Sequence, residues 1–232
     1  PLAHGVDLSV HSTSKYTTGQ GLALGGVIVE RENLVEKIKG NARYDHFNTP
    51  DASYHGLVYS DVPLPIFTLR VRLALLRDLG GAPSPFNSWL HIQGLETLPL
   101  RMKQHSASAL AIAEFLEAHP KVKKVNYPGL KSSEQNDLVG KYFKDGMASG
   151  LLSFEVESKE LAQSIADATE IFAVVVNIGD SKSIITHPAS TTHQQLSPKE
   201  LEEAGVPGGL VRLSVGLEDT QDLIDDLTKA LG

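Results

Sequence analysis

The sequence predicts a mixed α/β fold, and three observations lead there. Short alternating or β-branched runs are interleaved with stretches of helical spacing along the whole chain. Hydrophobic residues make up 41% and charged residues 21% of the 232, the balance of a globular protein rather than a disordered or fibrous one. No internal repeat or low-complexity tract breaks the pattern, and the length suits one large domain or two modest ones.

The elements follow in order. Val6, Leu8 and Val10 alternate with Asp7 and Ser9, which predicts a strand near the start. A strand needs neighbours, so the chain is expected to be part of a larger fold. His11-Ser-Thr-Ser-Lys15-Tyr-Thr-Thr-Gly19-Gln-Gly21 reads as a hydroxyl- and glycine-rich loop carrying one lysine, and Gly25 to Glu30 as the next strand. Arg31 to Lys39 is expected to be a short helix, and residues 40 to 65 a long ordered loop. Leu69, Leu73 and Leu76 give helical spacing to Ile66–Leu79, which Gly80-Gly-Ala-Pro-Ser-Pro85 stops. Asn87 to His119 is the longest helical region, with a break or restart expected at Pro99.

Strand and helix then alternate. Strands are predicted at Val122–Tyr127, Leu151–Val156, Val174–Ile178, Ile184–Thr186 and Leu210–Val215. Helices are predicted at Glu134–Phe143, Lys159–Thr169 and Asp219–Leu231. The last aligns Leu223, Leu227 and Leu231, with acids early and Lys229 late to suit the helix dipole. A domain boundary is expected within residues 88 to 105.

Composition excludes several functions. Lys and Arg number 21 against 28 Asp and Glu, a net charge of −7 that disfavours a grip on nucleic-acid phosphates. The longest apolar run, Ile171 to Val176, is far short of the ~20 residues of a membrane helix. With no cysteine there is no disulfide, thiolate metal site or cysteine nucleophile. The nine histidines are scattered, with only His187 and His193 near each other, so no metal site is expected.

Two segments could carry chemistry. Lys15 sits among Ser12, Thr13 and Ser14. A lysine that reacts with an aldehyde must be held in one place and partly deprotonated, and neighbouring hydroxyls and glycine amides suit a phosphate. On residue chemistry alone, a solvated lysine in a polar loop is the simpler reading. Ser12-x-x-Lys15 has the spacing of penicillin-recognising serine enzymes but lacks their partner motifs. Gly19-x-Gly21-x-x-x-Gly25 runs into a strand rather than opening a helix, as a dinucleotide fingerprint must. No Walker A sequence is present. The second segment is Gly179–Ser190 followed by Leu210–Gly216. There Arg212 is either an internal salt bridge or a bidentate clamp for a substrate carboxylate.

Taken together, four ordered motifs carry a resemblance. Val10-His-Ser-Thr-Ser-Lys15-Tyr with Gly25-Gly-Val-Ile-Val, Gly94-Leu-Glu-Thr-Leu, Ile184-Ile-Thr-His-Pro-Ala-Ser and Val211-Arg-Leu-Ser-Val-Gly216-Leu-Glu resemble signatures of the pyridoxal-phosphate enzymes of Cys/Met metabolism. The resemblance covers essentially the whole chain. Pro50–Tyr59 resembles the inserted loop of the O-acetylhomoserine sulfhydrylases within that family; Leu76–Gly80 and Ser84–Asn87 point the same way.

The resemblance implies an aspartate-aminotransferase-like fold of type I. Residues 1–94 would be the end of the large cofactor domain, and 95–232 the small C-terminal α/β domain with the substrate-carboxylate site. It implies pyridoxal 5'-phosphate as cofactor. Lys15 would be the lysine that joins it and then moves protons, and Ser12 and Ser14 would bind its phosphate, Ser14 standing where the family usually has Thr. Ser183 and Arg212 would bind the substrate carboxylate. His187 and Thr192 match signature positions and receive no catalytic role.

The implied reaction is γ-replacement on O-acetylhomoserine by sulfide or methanethiol, giving homocysteine or methionine and acetate. A succinyl-ester user, a cystathionine γ-synthase, a methionine γ-lyase or a non-catalytic fragment are the alternatives. Further implied are an amino-acid substrate, a cytoplasmic homotetramer built from dimers, and an N-terminal half that supplies the remaining cofactor contacts.

Overall fold

An antiparallel ribbon begins the chain. In the computed structural model, which describes residues 1–232, β1 (Leu8–Ser12) pairs with β2 (Gly26–Glu30), Leu8 opposite Glu30 and Ser12 opposite Gly26. The strand thus starts two residues later than the alternation suggests and takes in Ser12. Pro1–Thr13 and Ala23–Trp89 form one compact unit, and Ser14–Leu22 and Leu90–Gly232 a second.

In the first unit the expected helix after β2 shrinks to one turn, α1 (Val35–Ile38). The stretch expected as a loop is built from single helical turns, among them α2 (Asp45–Asn48), held by side chains rather than by a ladder. Asn48 is central. Its Nδ2 donates to the carbonyls of Ile38 and Tyr44, and its Oδ1 accepts from Gly40 N–H. A helical run follows, α3 (Ile66–Arg70), a π-helical piece (Val71–Leu76) and α4 (Arg77–Leu79), ended by Gly80 at φ 70°. The core is small: Leu34, Ile38, Phe47, Tyr59 and Ile66.

The second unit is organised by α5 (Pro85–Ala118), which runs in from the first. It passes through Pro99 without a break, contrary to expectation. Pro99 forfeits one N–H, and burial of Ala109, Ile112, Ala113 and Leu116 holds the helix beyond it. Then come β3 (Val122–Asn126), α6 (Asn136–Tyr142), β4 (Leu151–Val156), α7 (Lys159–Ala168), β5 (Ala173–Val174), β6 (Ile184–Thr186), α8 (Pro198–Glu203), β7 (Leu210–Ser214) and α9 (Thr220–Leu231).

The five strands lie in the order β3-β4-β7-β6-β5, antiparallel except for β5 beside β6. Alternation decides their faces. Leu152, Phe154, Val156, Val211 and Leu213 pack on α5, α7 and α9 through Leu116, Ile165, Leu223 and Leu227. The opposite face carries Ser153, Thr186, Arg212 and Ser214, paired across the strands Ser153 with Arg212 and Arg212 with Thr186. Two further elements depart from the sequence reading. The strand expected over 174–178 keeps only Ala173–Val174 in the sheet, and the residues after it leave as an irregular segment. The helix α8, which the sequence reading leaves out, is fixed by a capping box between Ser197 and Glu200 with Pro198 at its first position.

Candidate active site

Lys15 stands in a tight turn rather than an open loop. Gly19 N–H donates to the Lys15 carbonyl at 2.9 Å, and Gly19, at φ 72°, turns the chain away. Two further glycines let other segments close on this turn. A Cβ on Gly94 of α5 would strike the Thr17 carbonyl, and one on Gly179 would lie 2.7 Å from Tyr16 N. Ser181 N–H donates to the Gly19 carbonyl at 2.7 Å, which ties the turn to the segment that follows β5.

Lys15 is half-buried, and its Nζ donates to Asn177 Oδ1 at 2.5 Å. The backbone carbonyl of Asn177 in turn accepts from Arg212 Nη2 at 3.4 Å. One residue therefore touches both basic side chains. Neither Lys15 nor Arg212 has a carboxylate partner; every ion pair of the chain lies elsewhere. Burial pulls the Arg212 pKa down, as expected of a cation withdrawn from water without a counter-ion. Between the two readings left open for Arg212, the structure removes the internal salt bridge. The side chain lines a cleft of about 390 Å³ with Asn126, Gln135, Ser153, Thr192 and His193.

Ser183 does not join this group. It is fully buried, its hydroxyl donates to Glu218 Oε2 at 2.8 Å and accepts from Gly216 N–H at 2.8 Å, and its own N–H donates to Glu218 Oε1. Its one O–H is thus committed to Glu218 in this arrangement. Ser214 is similarly occupied, accepting from Gly179 N–H at 2.9 Å. Ser12 is exposed at the end of β1 and Ser14 half-buried at the head of the lysine turn. His187, buried, bonds Ser190 Oγ and the Gly208 carbonyl, each at 2.8 Å, and pins the loop before α8.

Two residues at the site escape sequence reasoning. Asn177 had a faint signal: it is the polar residue that closes the apolar run Ile171–Val176, just ahead of Gly179. Arg101 had none. Its role depends on α5 continuing through Pro99.

Comparison with known proteins agrees along the whole chain. The family model described as Cys/Met metabolism PLP-dependent enzyme matches residues 1–232. An O-acetyl-L-homoserine sulfhydrylase of Leptospira meyeri is 46% identical over 100% of this chain and 54% of the relative. One of Corynebacterium glutamicum is 43% identical over 98% of this chain and 52% of the relative. A crystal structure from Campylobacter jejuni, assigned as an O-acetylhomoserine (thiol)-lyase and holding a pyridoxyl-lysine monophosphate, superposes with a TM-score of 0.96 at 53% identity. It covers 100% of this chain and 55% of that one. The chain spans about half the length of the curated relatives it matches.

Proposed function

The chain belongs to the Cys/Met metabolism PLP-dependent enzymes and has their type I fold, and from that premise we propose that it carries the lysine and substrate-carboxylate side of an O-acetylhomoserine sulfhydrylase site. The observation that carries the proposal is the Lys15–Asn177–Arg212 chain. It holds a primary amine against a neutral amide and keeps a guanidinium free of any carboxylate. These are the donors that a pyridoxal group and an amino-acid substrate require, an amine not locked into an ion pair and an unclaimed cation, so the residues fit the cofactor. Bound there, pyridoxal 5'-phosphate supplies an electrophilic carbonyl and an electron sink for the pair left when a proton leaves the substrate Cα.

The remaining work falls to side chains of this chain. Lys15 Nζ takes the Cα proton and returns a proton later as general base and acid. Arg212 binds the substrate carboxylate through its planar fork, and Asn177 offers its Nδ2 to the same carboxylate while its Oδ1 steadies Lys15. Asn177 thus joins Lys15 and Arg212 in the proposed set. Ser14, at the head of the lysine turn, is the hydroxyl of this unit offered to the phosphate. Holding the amino acid at both ends fixes which Cα bond is broken, a positioning effect worth several orders of magnitude in rate. The net reaction is exchange of acetate at Cγ for sulfide, giving homocysteine. Amino-acid substrates, assembly with further copies and an N-terminal part that completes the site belong to the same proposal.

The test is Lys15→Ala in the full chain, with product formation from O-acetylhomoserine and sulfide as readout. Turnover is expected to fall by roughly 10³-fold or more, the loss of a general base combined with that of the covalent anchor. Sulfhydrylase activity at the unsubstituted level would overturn the proposal.

A further inference from the structure

Resting on the reading of Lys15 above, we propose that Arg101 is a positioning residue for that lysine, a cationic clamp on the backbone of its turn. Its guanidinium is spread over neutral oxygens only. Nη1 donates to the Tyr16 carbonyl at 2.8 Å, and Nη2 to those of Thr17 at 3.2 Å and Gly94 at 2.7 Å. Nε donates to Thr97 Oγ1 at 3.1 Å. No carboxylate accompanies it, and burial pulls its pKa down.

A half-buried cation among carbonyls costs desolvation energy that an ion pair would offset. What it secures here is geometry. The carbonyls of Tyr16 and Thr17 follow directly on Lys15 and have no ladder partner, so without Arg101 they would need water. The planar fork reaches them and the Gly94 carbonyl of α5 together, which a lysine's single nitrogen cannot match. The turn is thereby pinned to a rigid helix on one side, while Ser181 N–H holds Gly19 on the other. Gly19 belongs to the same device, because a Cβ there would collide with Arg101 Nη1. Lys15, between these anchors, has its backbone fixed and only its side chain left to swing between Asn177 and a ligand.

The experiment compares the unsubstituted full chain with Arg101→Met, Arg101→Lys and Thr97→Val. Amide hydrogen exchange is first followed without cofactor. In Arg101→Met the Gly19 amide should lose protection by about ten-fold or more while amides of β4 and β7 keep theirs. Pyridoxal phosphate is then added, and the rate of borohydride-trapped pyridoxyl adduct on Lys15 is measured by peptide mapping. That rate should fall by about ten-fold in Arg101→Met and recover only partly in Arg101→Lys. Thr97→Val, which removes the Nε acceptor together with the Thr97 hydroxyl's own bond to the Gly94 carbonyl and leaves the Nη contacts in place, should move both readouts in the same direction by about two-fold.

Unchanged Gly19 exchange and trapping in a folded Arg101→Met protein would overturn the clamp. If Arg101→Met does not fold, unchanged values in Thr97→Val overturn it instead. Absence of any adduct on Lys15 in the unsubstituted protein would defeat the cofactor reading, while the exchange data would still decide the clamp.

Discussion

The two compact units hold their folds by opposite means. The second buries a continuous apolar face, with Phe154, Val211 and Leu213 of the sheet packed against Leu116, Ile165, Leu223 and Leu227 of three helices. The first has a five-residue core and a two-stranded ribbon that leaves Val10 71% exposed, with Leu24 at 83% and Leu79 at 82% elsewhere in the unit. It makes up part of the difference with carboxylates that staple backbone to backbone. Glu30 accepts from Phe67 N–H, Thr68 N–H and the Thr68 hydroxyl, and Asp51 accepts from Ser53 N–H and the Tyr59 hydroxyl. A two-stranded ribbon is marginal alone. The comparison teaches that the second unit is ordered by one apolar face, whereas in the first much of the order comes from side chains bonding to backbone.

The sharpest way to break that contrast is a pair of equal truncations. Phe154→Ala removes a fully buried ring from the larger core and should cost about 3–5 kcal/mol in denaturant unfolding. Phe47→Ala removes a ring from the five-residue cluster, whose looser surroundings can close in on the space, so its cost should be smaller, about 2–3 kcal/mol. Equal losses would mean that the first unit is packed as well as the second. Next in size is Glu30→Gln, which leaves the N-terminal amides of α3 with a weaker, neutral acceptor. A loss of about 1–2 kcal/mol is expected, with amides of α3 exchanging faster and those of β4 unaffected.

The same contrast governs what the residues reveal on reading. In the second unit, periodicity sets element type because burial follows it: β4 alternates strictly, and α9 shows Leu223, Leu227 and Leu231 on one face. The reading fails there at Pro99 and after Val174, where a local rule yields to a tertiary contact, and at α8, whose capping box it leaves out. Pro99 does not end α5. Residues after Val174 leave the sheet to bring Asn177 to Lys15. Ser183, read as a ligand-binding hydroxyl, donates to Glu218 in this arrangement. In the first unit, residues 40 to 65 have no period to read, because their order comes from Asn48 bonding to the Ile38 and Tyr44 carbonyls and Asp51 to Ser53 N–H and the Tyr59 hydroxyl. Lys15 and Arg212 were legible by motif. The amide that joins them was not, since a single Asn at the end of an apolar run has no pattern of its own.

The smallest expected effect lies in the second unit and appears only in acid. His105 is fully buried. Its Nδ1 donates to the Val215 carbonyl at 2.7 Å, and its Nε2 has no partner. Its ring meets Tyr16 edge-on at 5.3 Å. Burial therefore holds its pKa below the ordinary 6.5, and no acceptor stands ready for a proton on Nε2. In the unfolded chain the same histidine takes up a proton as pH falls through about 6.5, while the folded one does not. Stability contributed by the neutral ring is thus complete above that pH and is lost progressively below it, down to the folded pKa. His105→Asn keeps an N–H for the Val215 carbonyl and cannot titrate. It should cost something at pH 8 yet show a flatter decline in unfolding free energy between about pH 7 and 5. An unchanged slope would mean that other groups set the acid response. The first unit offers no such buried histidine, so a slope that flattens should do so only for amides and probes of the sheet, which would again separate the two halves.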